Sequence, residues 1–470
     1  MKRRGGPQIF KATRHKHHRS QKNAEPGKDH SVAEPETLQL LIEGLSEQGA
    51  GVARHKDRPV FIAGALPGEQ VEVKIQGRFR RHDEAELVSV IEASPDRAQP
   101  SCEYFGRCGG CQLQHLAEPK QAKIKHEQLQ RRVRAAGFDG ELEVIESPFF
   151  AYRHRARLAY SRGKFGFRAA NAKDVVAIEQ CPLLSDPLNQ TIQQLKSLIS
   201  ENVPDTVSLE CLLSESVATF SPITETPVGV LFRVQSFGKK GSRPDKRWVA
   251  RLSSELPENL CLFDIEDDAG KSELSEYQES AGDSALQYQL TENLALAFTP
   301  ADFTQVNPLV NHAMIATVCE WLNPEAGETI ADFFCGLGNF SLPIAAKGAA
   351  VRSFDLGADM IARAVKQADF YELAIDYLCC DLFDAKQTPS LRGISKAVLD
   401  PPRAGAKQLC EEIAQSRDLQ KLVYVSCSPA SLQRDLEILS RGGFKIKAVK
   451  AADMFPQTHH QEAMVLLSRD

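Results

Sequence analysis

The chain has 470 residues, 42% of them hydrophobic and 25% charged, with twelve cysteines and a formal net charge of −5. It is too long for one hydrophobic core and predicts about three domains, with a composition close to the average of soluble proteins. No apolar run approaches the roughly 18 residues that span a bilayer, and the first residues lack the apolar core of a signal peptide. The expectation is a cytoplasmic protein without membrane contact, whose thiols are ligands or nucleophiles.

The charge is unevenly placed. Residues 1–30 hold nine Lys or Arg against Glu25 and Asp29, a surplus of +7 that leaves −12 for the remainder. Without apolar periodicity, residues 1–34 are expected to be a disordered basic tail attracted to polyphosphate; a solubilising tail or transit peptide would share that composition. Over residues 35–94, short apolar strands alternate with turns at Gly49–Gly51, Asp57–Pro59 and Pro67–Gly68, followed by a further strand, ELVSVIEA. Four or five strands in about 60 residues predict a small closed barrel. GxGVAR at 49–54, LPGE at 66–69 and GRFRRH at 77–82 resemble a TRAM domain, an OB-like barrel attached to RNA-modifying enzymes.

Residues 95–298 read as a central α+β domain. It opens with CEYFGRCGGCQLQH, which sets Cys102, Cys108 and Cys111 close together, and Cys181-Pro182 supplies a fourth cysteine after 69 intervening positions. Three thiols so close, with Gly109 and Gly110 letting the backbone wrap, point to a metal. Four thiolates can hold zinc, for which paired C-x-x-C ligands would be more usual, whereas a triple and a remote Cys-Pro suit a closed, structural [4Fe–4S] cluster. Residues 118–138 predict a helix ending at Gly137, with Ala122, Leu129, Val133 and Ala136 inward and Lys120, Lys123, Arg131 and Arg134 outward. YRHRARLAYSRGKFGFR, residues 152–168, predicts a strand with a basic face (Arg153, Arg155, Arg157) and interleaved aromatics, suited to RNA phosphates and bases. The acidic stretch 264–280 reads as a loop.

Residues 299–470 predict a Rossmann-like α/β domain with three strand tips over one cleft. The first, TIADFFCGLGNFSLPIA at 329–345, breaks at Gly336-x-Gly338 and restarts as a helix, with Ser341 where a dinucleotide fingerprint would have glycine. Asp355 ends the next strand, placed for a ribose diol, and Asp381 ends the third, within reach of an adenine amino group. GxG with these ordered acids suits S-adenosylmethionine. The second tip, KAVLDPPRAG at 396–405, carries Asp400, and the third, KLVYVSCSP at 421–429, carries Cys427. A cysteine at a strand tip can act as a nucleophile, which asks for an exposed thiol of lowered pKa. The plainer readings are a buried structural cysteine, a turn acid at Asp400 and a solvated Arg403.

With FCGLGNF, DPPRAGA, VSCSPASLQRD and FPQTHHQEAMVLL on the page, nearly everything after residue 35 resembles the RNA uracil-5-methyltransferases, in their iron–sulfur, TRAM-bearing 23S ribosomal RNA branch. The resemblance implies Cys427 as nucleophile, Glu462 as base, Gln305, Phe334, Asn339, Asp355, Asp381 and Asp400 as the cofactor shell, and Cys102, Cys108, Cys111 and Cys181 as cluster ligands. It also implies 23S rRNA as partner, with a monomer expected. Two positions depart from the family pattern: Ser428 stands where Asn is usual, and Asp355 where relatives often have Glu. The competing readings are the same reaction on tRNA, a methyltransferase of a nucleobase nitrogen, and an RNA-remodelling protein with a non-catalytic methyltransferase domain. His459 and His460 are weaker candidates.

Overall fold

A computed structural model describes residues 37–170, 173–218, 227–236, 247–266 and 286–469. The basic tail lies outside these residues, as does most of the acidic stretch; its first three residues end a strand, Leu260–Glu266, rather than lying in a loop.

Six strands, rather than four or five, make the N-terminal sheet, in the order Thr37–Leu41, Gln70–Arg78, Asp83–Glu92, Arg58–Ile62, Gly51–His55, Gly44–Leu45. Alternation places Val60, Ile62, Val71 and Val73 in its core. The central sheet runs Val175–Ala177, Lys164–Arg168, Arg155–Ser161, Ser208–Glu215, Val228–Ser236, Leu260–Glu266. Helices Asp186–Asn202 and Arg247–Ser254 cover it, burying Leu188, Ile192, Leu195, Trp248 and Leu252. The basic stretch is a hairpin turned at Arg162-Gly163 rather than one strand.

The third sheet has eight strands: Ile375–Cys379, Ala350–Asp355, Thr329–Phe333, Lys396–Leu399, Lys421–Ser426, Glu462–Ser468, Lys445–Ala452 and Glu143–Ile145. The first five are mutually parallel, and Glu462–Ser468 inserts antiparallel between Lys421–Ser426 and Lys445–Ala452. Chain order reverses beside Thr329–Phe333, the switch point where open α/β sheets hold ligands. The strands are near-continuous apolar runs, as burial on both faces demands: Leu422, Val423, Tyr424 and Val425 are all 0% exposed. Two segments from earlier in the chain join this body. Glu143–Ile145 extends the sheet, and the hairpin Leu286–Thr291/Leu294–Phe298 packs into its core.

Helix Glu118–Ala135 buries Gln121, Lys125, Leu129 and Val133. The expected inward residue Ala122 is only partly covered, because two polar side chains take the inner face at that end.

Candidate active site and cysteine loop

Cys427 follows the last residue of strand Lys421–Ser426 and precedes helix Pro429–Arg441. The turn closes on Ser426: its hydroxyl accepts from Ser428 N–H (3.2 Å) and donates to Ser428 C=O (3.2 Å). Ser428 thus shapes the turn through its backbone, which a substitution for Asn leaves in place. The DPPRAGA loop is tied to the same helix. Buried Asp435 accepts from Ala406 N–H (2.7 Å) and from the Tyr424 hydroxyl (2.7 Å).

Strand register places the acid opposite the thiol. Ser426 pairs with Ala463, so Glu462, 4% exposed, stands across from Cys427. Asp400, half-buried at the neighbouring tip, donates its N–H to Phe333 C=O (3.2 Å). Burial raises the pKa of Glu462, and the charge of Asp400 raises it further, while Arg403 opposes both. Burial also raises Asp400. Both carboxyls therefore hold their protons to higher pH than free ones would.

The expected lowering of the Cys427 pKa is not found. Burial first, then the charges of Glu462 and Asp400, push the thiol up to about 11, against a smaller opposing effect of Arg403. Without RNA it rests as a thiol. Arg403 is exposed above the site and lies 3.2 Å from the ring nitrogens of His460. The His459 and His460 rings are 4.1 Å apart, and His460 is pushed down to about 3 by burial and by its cationic neighbours, so it is neutral and accepts from Arg403.

The cofactor half lies around strand Thr329–Phe333. Phe334, Gly336 and Gly338 all have positive φ (63°, 58°, 103°), and a Cβ on Gly336 would meet nothing within 4 Å, leaving room for a ligand against the backbone. Asp355 accepts Gly336 N–H (3.0 Å), so the acid of the second strand holds the GxG loop. Asp381 lies two residues beyond its strand rather than at its end, capping a turn by accepting Phe383 N–H (2.9 Å). Phe334 faces Phe383 at 5.5 Å, Asn339 exchanges amide hydrogen bonds with Asn311 (2.9 and 3.0 Å), and Gln305 is buried at 8% exposure. The restart is a helix of five residues, Ser341–Ala345. Ser341 is wholly buried and bonds Asp332 and Ser353, filling the space a third glycine would leave. An open backbone cradle with acids and aromatics at its rim fits S-adenosylmethionine, which carries a ribose diol, adenine and a cationic sulfonium.

Cys102, Cys108, Cys111 and Cys181 all line one cavity of about 1310 Å³, and Cys102, Cys108 and Cys181 each act electrostatically on Cys111. Burial pushes Cys111 up to about 12 and Cys181 to about 11. Cys108 Sγ accepts Gly110 N–H at 3.4 Å, and Gly109 N–H bonds Arg168 C=O (3.0 Å) where a Cβ would press on the same carbonyl. As the side chains stand, no group of three or more His, Cys, Asp or Glu among the described residues is disposed to hold a metal ion. The donor set of four thiols around one space nevertheless fits a closed cluster.

The same cavity reaches Phe61 of the N-terminal sheet, His82 just before strand Asp83–Glu92, Arg153 and His459. Of the basic strand, Arg155 is turned inward, donating to Pro300 C=O (3.1 Å) and Thr304, and exposed Arg157 pairs with Glu210. The expected one-sided basic face is therefore partly neutralised within the protein.

A family model described as tRNA (Uracil-5-)-methyltransferase matches residues 281–377 and 391–470, and a TRAM domain model matches 33–77. The 23S rRNA (uracil(1939)-C(5))-methyltransferase RlmD of Shewanella amazonensis is 37% identical over 440 residues, 91% of this chain and 95% of that protein. Its namesake from a Marinomonas species is 34% identical over 435 residues, covering 91% and 94%. The chain belongs to the RNA uracil-5-methyltransferase family. A Pyrococcus abyssi tRNA (uracil-54, C5)-methyltransferase, solved with S-adenosyl-L-homocysteine, superposes with a TM-score of 0.69 at 25% identity, over 92% of this chain and all of that one. The protein is an S-adenosylmethionine-dependent methyltransferase with an N-terminal TRAM domain. Among the described residues no helix is long and apolar enough to cross a membrane.

The polar inner face of helix Glu118–Ala135 escaped the sequence reading. The signal was present: Gln121 and Lys125 continue the four-residue spacing of Leu129 and Val133.

Proposed function

We propose that this enzyme methylates carbon 5 of a specific uridine in 23S rRNA. The observation that carries the reading is the convergence of Cys427, Glu462 and Asp400 at adjoining strand ends. S-adenosylmethionine supplies the electrophilic methyl group when bound. Cys427 gives up its proton to solvent and its sulfur adds to carbon 6 of a uracil that has left its stack, shifting the C5=C6 electrons onto carbon 5, which then forms its bond to the methyl group. Glu462 then takes the carbon 5 proton, and the electrons of that bond expel the sulfur. Asp400 shares the proton inventory of the site, and with Gln305, Phe334, Asn339, Asp355 and Asp381 it forms the cofactor shell.

Cys102, Cys108, Cys111 and Cys181 would hold a [4Fe–4S] cluster, a structural group that pins the loop against the central sheet. The RNA lies along the barrel, the cavity and Arg403. The working units are a basic tail at 1–34, the TRAM barrel at 35–94, the cluster and central RNA-binding domain at 95–298, and the methyltransferase domain at 299–470. The enzyme acts as a cytoplasmic monomer, away from membranes.

The test is methylation of 23S rRNA and tRNA transcripts with methyl-labelled cofactor, mapped by mass spectrometry of nucleolytic fragments. One 5-methyluridine in the 23S transcript is expected. Label confined to tRNA would move the substrate, and label on a ring nitrogen would overturn the chemistry.

A further inference from the structure

The nine residues before Glu462, 453–461, form neither helix nor strand, yet Gln457 and Thr458 are each 2% exposed and Gln461 is 5% exposed. A buried irregular segment must find partners for its backbone groups from elsewhere. Helix Glu118–Ala135 and the cysteine loop supply many of them. Lys125 Nζ donates to Asp453 Oδ1 (2.8 Å) and Phe455 C=O (2.9 Å), an ion pair with both side chains nearly covered. Gln121 grips Gln457 twice, accepting its N–H (3.0 Å) and donating to its side-chain oxygen (2.9 Å). The Gln121 amide also bonds Leu113 C=O and Leu116 C=O (3.1 and 2.9 Å). Gln112 and Leu113 donate their N–H groups to Gln457 C=O (3.1 and 3.0 Å), and Gln461 donates to Lys125 C=O (2.6 Å). Gln457 has φ +65°, a left-handed backbone that a side-chain-bearing residue keeps only where its surroundings enforce it.

We propose that Gln121 and Lys125 are positioning residues for proton abstraction. By fixing segment 453–461 they hold the Glu462 carboxylate where it can take the carbon 5 proton of the methylated uracil. The inference rests on Glu462 being the base. In that step the O–H bond forms on Glu462, the C5–H electrons become the C5=C6 double bond, and the C6–S electrons leave with Cys427 as thiolate. Thiol addition and methyl transfer depend on the turn held by Ser426 and on the GxG loop, neither of which uses Gln121 or Lys125. The helix meets helix Pro429–Arg441 through its other end, where Arg132 donates to Gln433 (2.9 Å). Loosening the clamp should therefore slow elimination selectively. Misplacing a catalytic group by about 1 Å reduces its step on the order of 10²-fold.

The experiment compares Lys125→Met, Gln121→Leu, Lys125→Arg and Glu462→Gln with wild type, turning over a 23S rRNA fragment with S-adenosylmethionine. It reads turnover, thermal midpoint and the fraction of enzyme that stays bound to RNA in a denaturing gel. Lys125→Met and Gln121→Leu should lose roughly 10- to 100-fold in turnover and accumulate methylated, RNA-linked enzyme as Glu462→Gln does. Lys125→Arg, which keeps the donors, should stay near wild type. Lost turnover without the adduct, or a lower midpoint with unchanged adduct, would overturn the proposal. Absence of adduct in Glu462→Gln itself would instead remove Glu462 as base. Should Lys125→Met and Gln121→Leu fail to fold, Tyr152→Phe deletes only the hydroxyl bond to Pro456 C=O (3.0 Å) and must show a smaller accumulation of the same species, or the proposal fails.

Discussion

Cys427 and Glu462 face each other across an antiparallel strand pair, one residue beyond the Ser426–Ala463 pairing. The acid that the chemistry needs last sits beside the nucleophile it needs first, and it raises the thiol pKa while it waits. Addition to uracil requires the thiolate. With the thiol at about 11, the rate of covalent addition should climb about tenfold per pH unit from neutrality toward pH 10. Glu462→Gln removes a negative neighbour, lowers the thiol pKa and shifts the rising limb to lower pH. Quench-flow measurement of adduct formation checks the sign; a flat profile, or an alkaline shift in the variant, would contradict it.

Asp332 has a different burial problem. It is 0% exposed, with Oδ2 accepting from Ser341 and Oδ1 without a hydrogen-bond partner among the described residues, and burial pushes its carboxyl up to about 7. An unfolded Asp titrates near 3.9. The folded value is raised, so the native state keeps its proton after the unfolded chain has lost it. The contribution is fully present below about pH 4 and is lost as pH rises to about 7, by up to ~1.4 kcal/mol per pH unit. Thermal melts across this window should show Asp332→Asn with the flatter dependence. Parallel curves would show that Asp332 ionises in the native state as it does in the unfolded chain.

The two glycines of the GxG loop should respond unequally to alanine. Gly336 faces open space, so Gly336→Ala carries only the left-handed backbone penalty, about 1–2 kcal/mol. At Gly338 a Cβ would also collide with the Tyr377 hydroxyl. Gly338→Ala should be the more destabilising in urea unfolding, and Tyr377→Phe in the same chain should recover part of the loss. Equal losses would mean that the hydroxyl moves aside freely.

If the four cysteines hold a [4Fe–4S] cluster, anaerobically purified protein should carry about four irons and four sulfides per chain. Cys111→Ser and Cys181→Ser should each lose most of the iron. Stoichiometric zinc in place of iron would assign the site to the other metal that four thiolates favour.

The parts of this enzyme written into short stretches were legible in the sequence. Gly336-x-Gly338, the apolar runs ending at Asp400 and Cys427, and the cysteine spacing are local patterns, and the fold keeps them as turns and strand tips. What could not be read there depends on distant partners. Arg155 looked like an RNA contact until Pro300 and Thr304 closed over it. Gln121 and Gln457 are 336 residues apart, and no periodicity links them. The direction of the Cys427 shift was missed for the same reason: exposure was inferred from a turn, whereas Glu462 and Asp400 arrive through the sheet.

The central claim is thiol-assisted methylation of carbon 5, and its most direct test is covalent trapping on 23S rRNA carrying 5-fluorouridine. A fluorine on carbon 5 cannot be removed as a proton is, so the Cys427–carbon 6 bond should persist after methyl transfer. The prediction is an RNA-linked enzyme that survives denaturation, requires S-adenosylmethionine and disappears in Cys427→Ala. No adduct with the wild-type enzyme and bound cofactor, or an adduct that Cys427→Ala retains, would contradict it.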